Sequence, residues 1–241
     1  MVRVSGRRAG QRFDAELGVV TEALLFLGEL DPEAIGPSIA HATHYEPTPV
    51  GDLDALLALV PFPIAATTFV DLGAGMGRAM LLAARHPFAR VVGVEISPAL
   101  CAIARDNLAA IDRASLRCPE VRIKRADART YAFPRGELVV YLYNPFDATI
   151  FHEVLARLAT RRDRIALIYH TPVERACIDA HPAFACIGET SFGAVYTSSR
   201  QSAANATSPN TMLAAHVAST PGQPNHSQPS PGNVDPKTAP T

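Results

Sequence analysis

The sequence predicts an α/β fold: a three-layer αβα sandwich around a seven-stranded, mostly parallel sheet that ends in an antiparallel hairpin. Three observations predict it. From Thr67 onward, short apolar runs alternate with helical patterns, as parallel strands joined by crossover helices require. The first run passes through Phe69-Val70-Asp71-Leu72-Gly73-Ala74-Gly75-Met76-Gly77-Arg78, an apolar strand that turns on glycines into an Ala- and Leu-rich helix. The last two runs, Phe184–Glu189 and Phe192–Thr197, have only Thr190 and Ser191 between them. A parallel crossover needs about a dozen residues, so these two strands pair antiparallel.

Ahead of the core, Leu17, Val20, Leu24 and Leu27 recur at helical spacing and predict an amphipathic helix over about Gln11–Leu30. A Pro- and Gly-containing loop leads to His44-Tyr45-Glu46-Pro47-Thr48-Pro49. A short helix with Leu53, Leu56, Leu57 and Val60 then stops at Pro61 and Pro63, and Thr48 is a candidate N-cap for it. In the core, Thr67–Leu72 is the first strand and its helix runs from Met76 to about Arg85. Arg90–Ile96 is a near-continuous apolar run, as a buried parallel strand is. Ser97-Pro98 supplies an N-cap and a first-turn proline, and Leu100, Ile103, Ala104, Leu108 and Ile111 form the buried face of the helix that follows. Val121–Ala126, Leu138–Tyr143 and Arg164–Tyr169 are further strands. A helix with Ile150, Phe151, Val154, Leu155 and Leu158 on one side precedes the last of them.

The organisation expected is a helical cap or lid over 1–63, a core over 64–200 and a disordered tail over 201–241, where Ser, Pro, Asn, Ala and Thr dominate. The formal net charge of −1 advertises neither nucleic acid nor an anionic membrane. No run approaches the ~18 apolar residues that a bilayer span needs, so a soluble, cytoplasmic protein is expected. Cys101, Cys118, Cys177 and Cys186 lack metal-ligand spacing, and the scattered histidines make no i, i+4 pair, so no metal is expected. Neither a Gly-x-Ser-x-Gly elbow nor a P-loop lysine is present.

The glycine turn is the chemical centre. A strand feeding a glycine-rich turn and a helix N-terminus presents free N–H groups to a ligand. Asp71 decides the ligand's charge: a carboxylate repels a pyrophosphate and suits a cation. S-adenosylmethionine carries an ammonium and a sulfonium, and the spacing here is Gly-x-Gly-x-Gly, with Arg78 where the pyrophosphate fingerprint has its last glycine.

On these residues the chain resembles the class I S-adenosylmethionine-dependent methyltransferases, whose Rossmann-like sheet ends in the same hairpin with its seventh strand beside the fifth. The resemblance covers about Tyr45–Thr197. It implies that Asp71, Gly73, Gly75 and Gly77 hold the methionine end and that Glu95 binds the ribose hydroxyls. It implies that Asp127 accepts from the adenine amino group, with the Ala128 N–H facing the ring; an ion pair of Asp127 with Arg125 or Arg129 is the alternative. Tyr143-Asn144-Pro145-Phe146 stands where nitrogen-modifying relatives carry Asn-Pro-Pro-Tyr/Phe, with one proline missing. It makes Asn144, Pro145 and Phe146 the candidate catalytic residues, Asn144 also touching cofactor. Tyr45-Glu46-Pro47-Thr48 is similar to the Tyr-x-Pro-Ser/Thr stretch of non-SET histone lysine methyltransferases and related small bacterial enzymes, which implies that Tyr45 and Thr48 close over the cofactor.

The expected activity is methyl transfer to an unidentified acceptor, a protein side chain or a small amine being the candidates. His170, at the end of the fifth strand, is a candidate base. The competing readings are an NAD(P)-linked oxidoreductase and a cofactor-binding scaffold without turnover. The sequence sets neither the acceptor nor the oligomeric state.

Overall fold

The computed structural model describes residues 2–23 and 45–198, with side chains from residue 7 onward. The described residues build one seven-stranded sheet in the order β3-β2-β1-β4-β5-β7-β6. Its strands are β1 (Thr68–Leu72), β2 (Arg90–Glu95), β3 (Val121–Arg125), β4 (Leu138–Tyr143), β5 (Ile165–His170), β6 (Phe184–Glu189) and β7 (Gly193–Ser198). β1 pairs in parallel with β2 and β4, β2 with β3, and β4 with β5. β7 lies antiparallel between β5 and β6, so the hairpin read from the two-residue gap is present and inserts as expected.

β1, β2, β4, β5 and β7 are buried on both faces, the edge strands β3 and β6 only in part, and a two-residue alternation sorts their side chains. Phe69, Val91, Val139, Tyr141, Ile168 and Val195 point to one layer. That layer is built from α1 (Val2–Leu17), α2 (Asp52–Leu57) and α3 (Arg78–Ala84), which contribute Phe13, Leu53, Leu56 and Met80. Val70, Leu72, Val92, Val140, Leu142 and Leu167 point to the other, where α5 (Ala148–Ala159) packs Ile150, Phe151, Val154, Leu155 and Leu158. α4 (Pro98–Ala110) lies along β3. Its start is as predicted, with Ser97 Oγ accepting from the Leu100 N–H at 3.3 Å and Pro98 in the first turn. The short α6 (Arg175–Asp179) and a 3₁₀ turn at Arg113–Ser115 carry no strong periodicity and were not foreseen.

Two expectations at the N-terminal side are corrected. The first helix ends at Leu17 instead of running to Leu30: Gly18 turns left-handed at φ 67, and Val20 is exposed while Val19 is buried. Leu24, Leu27 and His44 lie outside the described residues, as does the tail predicted over 201–241. Thr48 is not an N-cap: α2 starts at Asp52 behind Gly51, and the Thr48 hydroxyl instead bonds the Tyr141 hydroxyl at 2.9 Å. Among the described residues no helix is long and apolar enough to cross a membrane.

Candidate active site

A cleft opens at the C-terminal ends of β1, β2 and β4, the end at which open α/β sheets bind ligands. Its floor is the glycine turn. Gly73, Gly75 and Gly77 have φ 76, 54 and 91, the left-handed conformations that admit glycine readily. At two of them the close approach also matters. A Cβ on Gly73 would lie 2.4 Å from the Pro145 Cβ, and one on Gly75 would lie 2.2 Å from the Tyr45 ring. Gly77 does not line the cleft; it turns the chain into α3, beside Ala104.

Asp71 is 3% exposed, and its Oδ2 is buried with no hydrogen-bond partner among the described residues. Burial first, and then the Glu95 charge, push its carboxyl up to about 8. An unpartnered buried carboxylate oxygen is costly, and Asp71 is among the residues that line the cleft. Glu95, at the end of β2, is oriented from both sides. Its Oε2 accepts from the Gly75 N–H at 2.9 Å and its Oε1 from the Ser97 N–H at 2.8 Å. Burial raises its pKa and these N–H bonds oppose the rise. The glycine turn and the ribose-side acid are thus one hydrogen-bonded unit.

Asp127 and Ala128 line the far end of the cleft with Ala126, Ile150 and Phe146. The Asp127 carboxylate grips Arg129: its Oδ2 accepts from Nη2 at 2.8 Å and its Oδ1 from the Arg129 N–H at 2.8 Å. The ion-pair alternative is therefore present, with Arg129 as the partner. Tyr45 and Thr48 form the lid side. The Tyr45 hydroxyl donates to the Thr21 carbonyl at 2.9 Å, and burial drives its pKa upward. Thr48 meets Tyr141, a fully buried tyrosine in register with Asp71 on the neighbouring strand.

Of the candidate catalytic residues, Pro145 and Phe146 line the cleft, Phe146 being 7% exposed and packed toward Phe151. Asn144 turns elsewhere. Its backbone is left-handed at φ 43, and its Oδ1 accepts from the Tyr169 hydroxyl at 3.4 Å on the opposite layer. The cleft wall includes tyrosines that sequence reasoning did not single out, Tyr141 and Tyr143. Their alternation in β4 places them on the face that carries Asp71, a signal available from the strand's period of two.

Arg78, read only as a departure from a fingerprint, is 2% exposed and ties the N-terminal segment to the core. Its Nη2 meets Asp14 and Glu22, each at 3.1 Å, its Nε donates to the Thr21 hydroxyl, and its guanidinium lies 4.9 Å over the Phe13 ring. The strap that holds Tyr45 from above is anchored by the first helix of the core.

A family model for a methyltransferase domain matches residues 69–164. A trans-aconitate 2-methyltransferase from Variovorax paradoxus is 40% identical over 89 residues, 36% of this chain and 30% of that protein, so the match spans less than a third of that relative. A solved Pyrococcus horikoshii structure, provisionally assigned as an RNA methyltransferase, is similar with a TM-score of 0.50 at 17% identity. The similarity covers 71% of this chain and 93% of that one. An RNA methyltransferase from Salinibacter ruber in complex with S-adenosyl-L-homocysteine gives a TM-score of 0.45 at 21% identity, covering 63% and 92%. Residues 69–164 thus match a methyltransferase domain, and the sheet around them, parallel with an antiparallel end hairpin, has the Rossmann-like order expected of the class I S-adenosylmethionine-dependent methyltransferases.

Proposed function

We propose that this chain transfers a methyl group from S-adenosylmethionine to an acceptor nitrogen, on a small amine or a protein side chain. The observation that carries the reading is the buried, unpartnered Asp71 oxygen beside the glycine turn. A cationic ammonium satisfies that oxygen, whereas a pyrophosphate is repelled by it. This leaves the oxidoreductase alternative without its main contact.

The residues present fit the cofactor. Asp71, with the close-approach glycines Gly73 and Gly75, would hold its methionine end. Glu95, already fixed by two backbone N–H groups, would take the ribose hydroxyls, and Asp127 with Ala128 the adenine edge. Tyr45 and Thr48 would cover the site. When bound, S-adenosylmethionine supplies an activated methyl group on a sulfonium. The chain's own task is to aim the acceptor and exclude water, and Pro145, Phe146 and Tyr141 provide apolar walls for it. Asn144, turned toward Tyr169, would serve by holding the strand-end turn.

The acceptor's charge follows from the cleft's. Glu46, Asp71, Glu95 and Asp127 line it; Asp127 is paired with Arg129, and the lining cation Arg78 with Asp14 and Glu22. This favours a neutral or cationic acceptor over a carboxylate such as the trans-aconitate in the relative's name. Residues 64–200 would form the catalytic core with 1–63 as its lid. Four free cysteines accord with a cytoplasmic setting.

Calorimetric titration with S-adenosylmethionine, S-adenosylhomocysteine and NADH tests the reading. The first two are expected to bind and NADH not to. Asp71→Ala is expected to weaken binding about 100-fold, as loss of one partner of a buried charged pair does. Unchanged binding by that variant would sink the assignment.

A further inference from the structure

Consecutive residues ahead of α2, Tyr45 to Thr48, line the cleft, and side-chain hydrogen bonds tie this stretch to the body of the fold. The Tyr45 hydroxyl donates to the Thr21 carbonyl at 2.9 Å. Thr48, 3% exposed, shares a 2.9 Å hydrogen bond with the Tyr141 hydroxyl of β4. At the start of α2, Asp52 Oδ2 lies 2.9 Å from Nε2 of His170, the last residue of β5. The chain between Thr48 and Asp52 is a tight turn, closed by the Asp52 N–H donating to the Pro49 carbonyl at 3.3 Å. Little chain is left there to absorb a shift, so a movement of Asp52 is carried to Thr48.

The surroundings of His170 suit it to holding this segment. It is 2% exposed and does not line the cleft. Its ring stacks on Phe192 with centroids 5.6 Å apart, and the Tyr143 ring stands 4.2 Å away. Tyr141, the partner of Thr48, has its ring 6.4 Å from the imidazole, so Thr48 and Asp52 land on neighbouring strands side by side. Both ring nitrogens are engaged. A carboxylate only accepts, so the Nε2–H donates to Asp52, and Nδ1 of the neutral ring accepts from the Thr171 hydroxyl at 3.0 Å. Burial lowers the imidazole's pKa, which favours that neutral form. Thr171 is itself held in a left-handed conformation, φ 46, by its N–H donating to the Phe192 carbonyl at 2.8 Å.

We propose that the His170–Asp52 pair is a latch that fixes the cleft-lining segment 45–48 in place, so that His170 is a positioning residue and not a base. The proposal rests on the methyltransferase reading, in which Tyr45 and Thr48 cover the cofactor. Neither His170 nor Asp52 touches the ligand. They act through Thr48, whose seat on Tyr141 lies beside Asp71 in the register of β1 and β4.

Calorimetric titration of the full chain with S-adenosylhomocysteine, paired with methyl NMR of threonine-labelled protein, tests the latch. The Thr48 methyl resonance, assigned from its absence in Thr48→Ser, reports where the segment sits without any ligand. Asp52→Ala is expected to displace that resonance and to weaken S-adenosylhomocysteine roughly tenfold, about the worth of one hydrogen bond to a buried group. His170→Phe keeps the ring packing and removes the bond from the other side, so it is expected to do the same. Asp52→Asn still offers a carbonyl oxygen to the Nε2–H and should recover most of the affinity. Tyr196→Phe is the control, because it cuts the 2.9 Å bond of a buried hydroxyl to Asp179 away from the cleft lining. It should lower the unfolding midpoint and leave both the affinity and the Thr48 resonance at their parent values.

Parent-like behaviour of Asp52→Ala and His170→Phe, or weaker binding with the Thr48 resonance unmoved, overturns the latch. Equal weakening by Asp52→Asn or by Tyr196→Phe overturns it too, since charge or overall stability would then set the affinity. If the parent protein binds no S-adenosylhomocysteine, the methyltransferase reading fails, and the Thr48 resonance in Asp52→Ala judges the latch by itself.

Discussion

The side-chain amide of Asn107 pairs with both backbone groups of Val20, accepting from its N–H at 2.8 Å and donating to its carbonyl at 2.9 Å. The same amide nitrogen reaches the Met76 carbonyl at 2.9 Å. One residue of α4 thereby clips the N-terminal strap and the glycine turn together. Asn107→Ala leaves three backbone groups without these partners. The expected cost is about 2–3 kcal/mol in denaturant unfolding, with early loss of amide protection at Val20 and Thr21. Protection at the level of the parent would mean that the strap is held by other contacts.

Arg78 is the second anchor of that strap. Asp14 not only pairs with it but accepts from the Thr21 N–H at 2.6 Å and the Glu22 N–H at 2.7 Å. Arg78→Ala strands two carboxylates around an emptied site. Breaking a buried ion pair by removing one partner costs about 3–5 kcal/mol. Asp14→Asn with Arg78→Met, which removes one charge of each sign and leaves only Glu22 unpaired by the change, is expected to recover part of that loss. Stability equal to the single Arg78→Ala variant would show that packing, not charge, sets the cost.

Much of this architecture was legible because it is local. The apolar alternation of β2, β4 and β5, the Ser97-Pro98 start and the two-residue hairpin gap each act over a few residues, and the Asp71-to-Gly77 turn is contiguous. The misread helix shows the limit. Leu17, Val20, Leu24 and Leu27 kept helical spacing, yet Gly18 turned the chain, and Asp14 captured the N–H groups of Thr21 and Glu22. The left-handed backbone of Asn144 and the approach of its Oδ1 to the Tyr169 hydroxyl at 3.4 Å join residues 25 apart, beyond the strand-end motif that the sequence displays. The contact between His170 and Asp52 joins residues 118 apart, which no window of sequence reveals.

Gly75 tests how closely the lid sits. An alanine there tolerates φ 54 at about 1 kcal/mol, but its Cβ meets the Tyr45 ring at 2.2 Å, and that ring is tethered through its hydroxyl to Thr21. Gly75→Ala is expected to displace Tyr45 and weaken cofactor binding by roughly tenfold or more, within the ~1–3 kcal/mol that overpacking costs. Adding Tyr45→Ala should restore part of the affinity, since the two changes share one contact. Additive losses in calorimetric titration would place the damage in the turn itself.

Asp71 makes a pH-dependent prediction whose sign is fixed by its environment. Its carboxyl stands at about 8 in the folded protein against an ordinary 3.8, raised by burial and then by Glu95. Between those values the folded state holds a proton that the unfolded state has released. The contribution to stability therefore falls as pH rises, by up to about 1.4 kcal/mol per pH unit from this group, and levels off above about 8. Glu95, also raised, acts in the same direction. A cationic ligand reverses the preference, because it pairs with the ionised carboxylate. Near pH 6.5, S-adenosylmethionine binding should thus release about one proton, and affinity should increase with pH across 5.5–7.5. Calorimetry in buffers of different ionisation enthalpy reads the proton directly. Asp71→Asn should abolish the release and reduce the pH dependence of unfolding to the part that Glu95 contributes. Binding without proton release in the parent protein would mean that Asp71 does not meet the cofactor's charge.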